Sequence, residues 1–339
     1  MKPDNFISPD YFKLDDLLTE EHKLVRDTTR SWVKKNISPI IEKNAQEATF
    51  PKEILPGLSE IGAFGCFMFG VGSTDMLGIL VTGKTWVKVP ETININWSGS
   101  LKQGVVAKDM ALRMCAALGM NGGAYQAIQY TGDAVQSLSM TERMTLCNMS
   151  AELGAQTGII APDETTFEYI KEAGGDIEDE NNLISDDDAS YLIKHDFSAN
   201  DLEPQVATPH SPANSTEIKN IEKVQIDKFY IGACTGAKLV DLSMAAKILK
   251  NNKVATGKQL TVAPASSQIY NQASENGVMS ILTEAGAKLL PPGCGACAGY
   301  GAGVLENNEV CLASTARNFQ GRMGASTSHV YLGSPYTVA

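Results

Sequence analysis

Lys228-Phe229-Tyr230-Ile231-Gly232-Ala233-Cys234-Thr235-Gly236-Ala237-Lys238 is the stretch that decides the fold. A short apolar run ends in glycines and small residues, the way a buried strand passes through a tight turn into a helix. Three more short apolar runs follow, at 259–262, 287–290 and 310–313, and the first two of the four lead into helical segments. Such alternation predicts a parallel α/β sheet. Ligands of these sheets gather beyond the carboxyl ends of the strands, and Cys234, Cys294 and Cys297 each follow directly on such a run.

Working back from there, residues 203–216, with Pro204, Pro209 and Pro212, read as an extended connector with a domain boundary just after it. Helices are expected at 108–118, 132–140 and 165–173, and the acidic run 176–188 reads as a solvated segment. From Leu77 the pattern is β, with strands expected at 79–81, 86–89 and 93–97. Before Gly62 it is helical: Thr19 caps a segment whose Leu24, Val25, Thr28, Trp32 and Val33 share a face, and Ser38-Pro39 and Phe50-Pro51 mark two further starts. The expected fold class is α/β with parallel-rich sheets, preceded by a short all-α segment.

The 339 residues, 43% hydrophobic and 20% charged, describe an ordinary globular protein of two or three domains. With 39 acidic against 28 basic residues, the long-range field repels phosphate backbones and anionic lipid, so neither nucleic acid nor membrane is an expected partner. An anionic small substrate stays compatible, because local arginines or a metal reverse the field inside a pocket. No apolar run approaches the roughly 20 residues that cross a bilayer. Seven cysteines without a signal-peptide pattern point to a reducing cytoplasm, where clustered thiols serve metals or catalysis.

Gly78-Ile79-Leu80-Val81-Thr82-Gly83-Lys84-Thr85 matches the phosphate-loop expression letter for letter. Its apolar interior and the following Trp86-Val87-Lys88-Val89-Pro90 lack the helix whose N-terminus would face a phosphate, so a β-hairpin explains it better. In Gly293-Cys294-Gly295-Ala296-Cys297-Ala298-Gly299, glycines let two thiols turn toward one centre; zinc, redox and iron-sulfur uses share this pattern. Cys234 adds a third thiol from another strand end, enough to hold a cube of iron and sulfide with one iron open. The alternative is a non-catalytic zinc domain with Cys311 as fourth ligand, yet Cys311 lies in an apolar run and reads as a packed hydrophobe.

Ile231-Gly232-Ala233-Cys234-Thr235-Gly236-Ala237-Lys238, Pro292-Gly293-Cys294-Gly295-Ala296-Cys297 and Ala316-Arg317-Asn318-Phe319-Gln320-Gly321-Arg322 resemble, in order and separation, the aconitase superfamily, most nearly the 3-isopropylmalate dehydratase large subunits. The resemblance runs from about Gly62 to the end and takes in Cys147-Asn148-Met149-Ser150-Ala151-Glu152, similar to the family's second-domain signature. It implies aconitase-type α/β/α domains and a 4Fe-4S cluster on Cys234, Cys294 and Cys297. It further implies a catalytic Glu152 that helps hold water or hydroxyl at the open iron. Arg317 and Arg322 would bind carboxylates of a hydroxy-di- or tricarboxylate substrate, a task suited to the guanidinium fork.

The implied reaction is a hydro-lyase isomerisation of 2-isopropylmalate and 3-isopropylmalate in leucine biosynthesis, by dehydration and rehydration. Homoaconitase or an aconitase-like dehydratase is the neighbouring reading. Two departures stand out: Ala316 replaces the Asn that many relatives carry before the first arginine, and Thr235-Gly236-Ala237-Lys238 replaces Thr-Asn-x-Arg. The second keeps a cation; the first removes a hydrogen bond to substrate or cluster.

Residues 1–61 resemble a different family. Leu18-Thr19-Glu20-Glu21-His22-Lys23-Leu24-Val25-Arg26-Asp27 and Phe50-Pro51-Lys52-Glu53-Ile54-Leu55-Pro56-Gly57 are similar to the N-terminal helices of acyl-CoA dehydrogenases of the glutaryl-CoA type. An acyl-CoA dehydrogenase fragment, which would bind flavin, is therefore a further alternative. Gly62-Ala63-Phe64-Gly65 suits both families, which implies a chimera joined there. The expected division is 1–61 dehydrogenase-like helices, 62–89 a remnant of the first aconitase domain, 90–222 the second domain, and 223–339 the third. The dehydratase Asp-Ser-His-Thr motif is missing from the chain, and a small subunit is expected to supply the swivelling domain, so the chain alone is expected not to turn over substrate.

Overall fold

The computed structural model describes residues 89–175, 184–186 and 188–339, together with Lys35. The expected N-terminal helices, the 78–85 hairpin and most of the acidic run lie outside the described residues. The chain divides into Met1–Val89 and Pro90–Ala339, and the second unit holds two sheets. The mixed, parallel-rich α/β class expected from the sequence is the class observed.

The first sheet begins with β1 (Thr92–Ser98), where period-two alternation puts Ile93, Ile95 and Trp97 on one buried face. Burial of each isoleucine is worth about 1.5–3 kcal/mol. Helix α1 (Ala107–Leu118) leads to β2 (Ala127–Thr131). The helix expected across 132–140 is in fact two, α2 (Asp133–Gln136) and α3 (Met140–Asn148), because the Ser139 hydroxyl accepts the Glu142 N–H and starts a new helix. Then come β3 (Thr157–Ile160), α4 (Glu164–Glu172) and β4 (Ile193–Ser198). All four strands are parallel in the order β3-β2-β1-β4.

The expected connector at 203–216 is instead two strands, β5 (Gln205–Ala207) and β6 (Ser215–Glu217). The three prolines flank β5 and β6 and leave their ladder intact, as edge positions allow. The second sheet therefore takes its first strands from before the boundary expected near 222. It continues through β7 (Lys228–Ile231), α5 (Leu239–Leu249), β8 (Gln259–Val262), α6 (Ser267–Glu275), α7 (Val278–Glu284) and β9 (Lys288–Leu289). β10 (Val310–Ala313), β11 (His329–Leu332) and α8 (Pro335–Val338) complete it. The order is β6-β5-β11-β10-β7-β8-β9, with β11 to β9 parallel and β5 and β6 antiparallel.

Neighbouring residues of β7 show how this sheet is covered on both faces. Tyr230 packs into the core that also holds Ile93, Trp97 and Met110, whereas Ile231 joins Leu242, Val262 and Leu282 beneath α5 and α7. One core thus spans both sheets. The connections diverge at β7, with β8 and β9 on one side and β10 and β11 on the other. The crevice at that divergence is where parallel sheets bind ligands. No helix among the described residues is long and apolar enough to cross a membrane.

Candidate active site

The β7 and β10 ends are tied by Ser314. Its hydroxyl accepts the Gly232 N–H at 3.0 Å and donates toward the carbonyls of Gly236 at 3.0 Å and Gly232 at 3.2 Å. A Cβ at Gly236 would overlap the Ser314 carbonyl and hydroxyl oxygens, so only glycine fits this crossing. Between these glycines Ala233 takes φ +73°, and Cys234 follows with its side chain exposed.

Beyond β9 the chain turns at Gly293 (φ +129°) into a short 3-10 turn, Gly295–Ala298, closed by the Cys297 N–H on the Cys294 carbonyl at 2.9 Å. Cys294 is exposed and Cys297 half-buried. The Tyr230 hydroxyl reaches the Cys294 carbonyl at 3.5 Å, and Arg322 Nε donates to the Cys297 carbonyl at 2.9 Å. Burial raises the Cys297 thiol pKa, Arg322 lowers it, and Cys234 and Cys294 raise it again. The three thiols are thus close enough to act on one another's charge.

The first sheet supplies the facing wall. Asn148, at the end of α3, directs Nδ2 at Cys234 Sγ at 3.5 Å. Glu152, 2% exposed in the next turn, accepts from Arg317 Nε at 2.6 Å, and Arg317 itself is 41% exposed on the side chain. That hydrogen bond, with the carboxylate charge, holds the guanidinium pKa above its ordinary value. Lys238 Nζ bridges Thr145 Oγ1 at 2.7 Å, the Cys234 carbonyl at 2.8 Å and Asp241 at 3.1 Å, so the cation that departs from the family pattern is engaged in structural contacts. Lys108, from α1, donates to the carbonyls of Ser314 and Thr315, both at 2.6 Å.

All six residues expected from the sequence lie around this crevice. Asn148, Tyr230, Ser314 and Lys108 were not expected. The available signal for Lys108 was a pair of charged residues, Lys108 and Asp109, inside the otherwise apolar stretch Val105 to Leu112. Of the histidines, His195 lies on β4, and His210 and His329 face each other at 5.3 Å between ring centroids.

Cys311 is fully buried in β10, with its thiol pushed up to about 12 by burial, so it packs as a small hydrophobe. Among the described residues no three His, Cys, Asp or Glu side chains converge on a single-ion position. Three thiols on glycine-jointed loops, without imidazole or carboxylate among them, fit a cluster, whose irons would each take their own thiolate, better than a single ion.

Residues 58–339 match the aconitase family (aconitate hydratase) model, and residues 19–79 match the acyl-CoA dehydrogenase N-terminal domain. The two matches overlap across Gly62-Ala63-Phe64-Gly65, the string that suits both families. A 3-isopropylmalate dehydratase large subunit of Methanopyrus kandleri is 44% identical over 82% of this chain and 66% of its own length. The methanogen homoaconitase large subunit of Methanocaldococcus jannaschii is 42% identical over 82% of this chain and 68% of its own. A 3-isopropylmalate dehydratase large subunit of Halothermothrix orenii is 39% identical over 98% of this chain and 82% of its own. Against the first of these the chain spans just under two thirds of the relative's length. With motifs, fold and a match running from residue 58 to 339 in agreement, the chain belongs to the aconitase family.

Proposed function

We propose that residues 58–339 form the cluster-carrying part of a hydro-lyase that interconverts 2-isopropylmalate and 3-isopropylmalate. The observation that carries this reading is the gathering of Cys234, Cys294 and Cys297 beside the Glu152–Arg317 pair and Arg322 in one crevice. The three thiolates would hold a 4Fe-4S cluster, which when bound supplies an open iron as a Lewis acid toward a substrate hydroxyl. Arg317 and Arg322 offer planar donor forks to substrate carboxylates. A carboxylate arriving at Arg317 competes with Glu152, and Glu152 Oε1 so released accepts a hydrogen bond from the substrate hydroxyl or its water.

A small subunit would bring the swivelling domain and the base, in keeping with the large-subunit names of the relatives. The free thiols suit a cytoplasmic setting. Homoaconitase specificity is the second reading, favoured by the 42% identity to the methanogen protein.

Anaerobic reconstitution followed by iron, sulfide and zinc analysis tests the proposal. The expected content is about four irons and four sulfides per chain with a broad visible charge-transfer band. Stoichiometric zinc with Cys234 intact would overturn it.

A further inference from the structure

Lys108 is 1% exposed, yet among the described residues it forms no ion pair; its ammonium meets two neutral backbone carbonyls. Taking a charge out of water costs several kcal/mol, and a hydrophobic residue of similar volume fills such a place at no such cost. A core that needed only packing has no use for this lysine. Asp241 attracts it, but that carboxylate already accepts from Lys238 Nζ and from the Lys238 N–H at 2.9 Å. The other ionisable acids that act with Lys108 are the adjacent Asp109, whose pKa burial raises to about 7, and the thiols of Cys297 and Cys234, negative once they serve as thiolate ligands.

Its position is equally specific. It stands on α1, against the first sheet, and grips the end of β10 more than 200 positions away, at the divergence of the second sheet. The gripped turn runs straight into the site: Thr315 Oγ1 donates to the Arg317 carbonyl at 3.2 Å, and Arg317 holds Glu152. Burial brings the amine down to about 8, so it remains an ammonium at neutral pH.

We propose that Lys108 is a positioning residue of this site, fixing the Ser314–Arg317 turn through its two carbonyl contacts and offsetting, with its buried charge, the negative charge of the thiolate ligands. The charge half rests on the cluster reading above; the turn half does not.

Lys108→Met removes charge and donors, Lys108→Gln removes the charge but keeps two N–H donors, and Lys108→Arg keeps both. In cluster-free protein, hydrogen exchange at amides 314–318 is expected to rise at least tenfold in Lys108→Met and to stay within about threefold of the parent in Lys108→Arg, with Lys108→Gln between. In reconstituted protein, the cluster reduction potential is expected to fall in both Lys108→Met and Lys108→Gln, because an uncompensated anionic centre resists an added electron, and to recover in Lys108→Arg. Unchanged exchange at 314–318 together with an unchanged potential would overturn the proposal. So would a fall in melting temperature without either local effect, the mark of a residue that only packs. If the parent chain takes up no cluster, the cluster reading falls by itself and the exchange measurement alone decides the turn half. Should Lys108→Met fail to fold, comparing Lys108→Gln with Lys108→Arg decides the proposal on the same two readouts.

Discussion

At Gly236 the absence of a single carbon decides whether two strand ends can meet. A Cβ there meets the Ser314 backbone oxygen first and then its hydroxyl, which three hydrogen bonds hold in place. Gly236→Ala is expected to destabilise the protein by about 1–3 kcal/mol, the usual cost of overpacking, read by urea denaturation. Arg143 is the other residue whose chemistry is settled by contacts: it is 2% exposed, donates from both terminal nitrogens to Asp163 at 2.6 and 2.7 Å, and caps the carbonyls of Leu138 and Gln136 at 3.1 and 2.6 Å. Arg143→Met is expected to cost about 2–3 kcal/mol, below the full range for a buried pair because Asp163 can rehydrate. Asp163→Ala is expected to cost more, about 3–4 kcal/mol, because it removes a helix cap and leaves the buried guanidinium without its counter-charge. Equal costs in the two variants would show that the shared contact, and not the desolvated guanidinium, dominates.

At the scale of elements, α1 ties the two sheets together through adjacent charged residues facing different partners. Asp109 is fully buried and accepts the Val106 and Gln205 N–H groups, both at 2.9 Å, so one carboxyl starts α1 and anchors β5. Burial raises its pKa from 3.8 to about 7. The folded state then holds a proton that the unfolded chain has lost, so this group's contribution is fully present below about pH 4 and is lost as pH rises through 7. Lys108, lowered from 10.5 to about 8, works the other way: its burial penalty is relieved between pH 8 and 10.5 and stability rises there. Calorimetry of Asp109→Asn is expected to show a lower melting temperature near pH 4 but a flatter profile from pH 4 to 7. A slope unchanged from the parent's would mean that Asp109 does not titrate in that window.

For the whole molecule, the match to two families meeting across residues 58–79 predicts one continuous reading frame. Single-molecule DNA reads running unbroken through codons 58 to 68 are the expected outcome, and a break in coverage there would remove the fusion. Within Pro90–Ala339 the core is common to both sheets, since Trp97, Met110, Tyr230 and Met323 belong to one cluster. The site therefore stands on a joint that needs both sheets to be folded. Its denaturation is expected to follow a single transition when tryptophan fluorescence and far-UV circular dichroism are compared.

The thiols, the β7 and β8 strand-to-helix passages and the family motifs were legible in consecutive residues, because a strand end, a glycine turn and a Cys-x-x-Cys spacing are local chemistry. So was the burial of Cys311. β2, β3 and β4 were not: Ala127–Thr131 is covered on both faces and shows no alternation, and Ile193–Ser198 is an edge strand with no apolar run. The 203–216 segment carried proline chemistry that describes its ends and says nothing of its partner β11. Glu152 and Arg317 lie 165 positions apart and Lys108 and Ser314 206 apart, so their meeting depends on the order in which strands pair and on which sheet faces share a core. Periodicity tells which face of a helix is buried, but only the packed structure decides that one buried position carries an ammonium set against the end of β10.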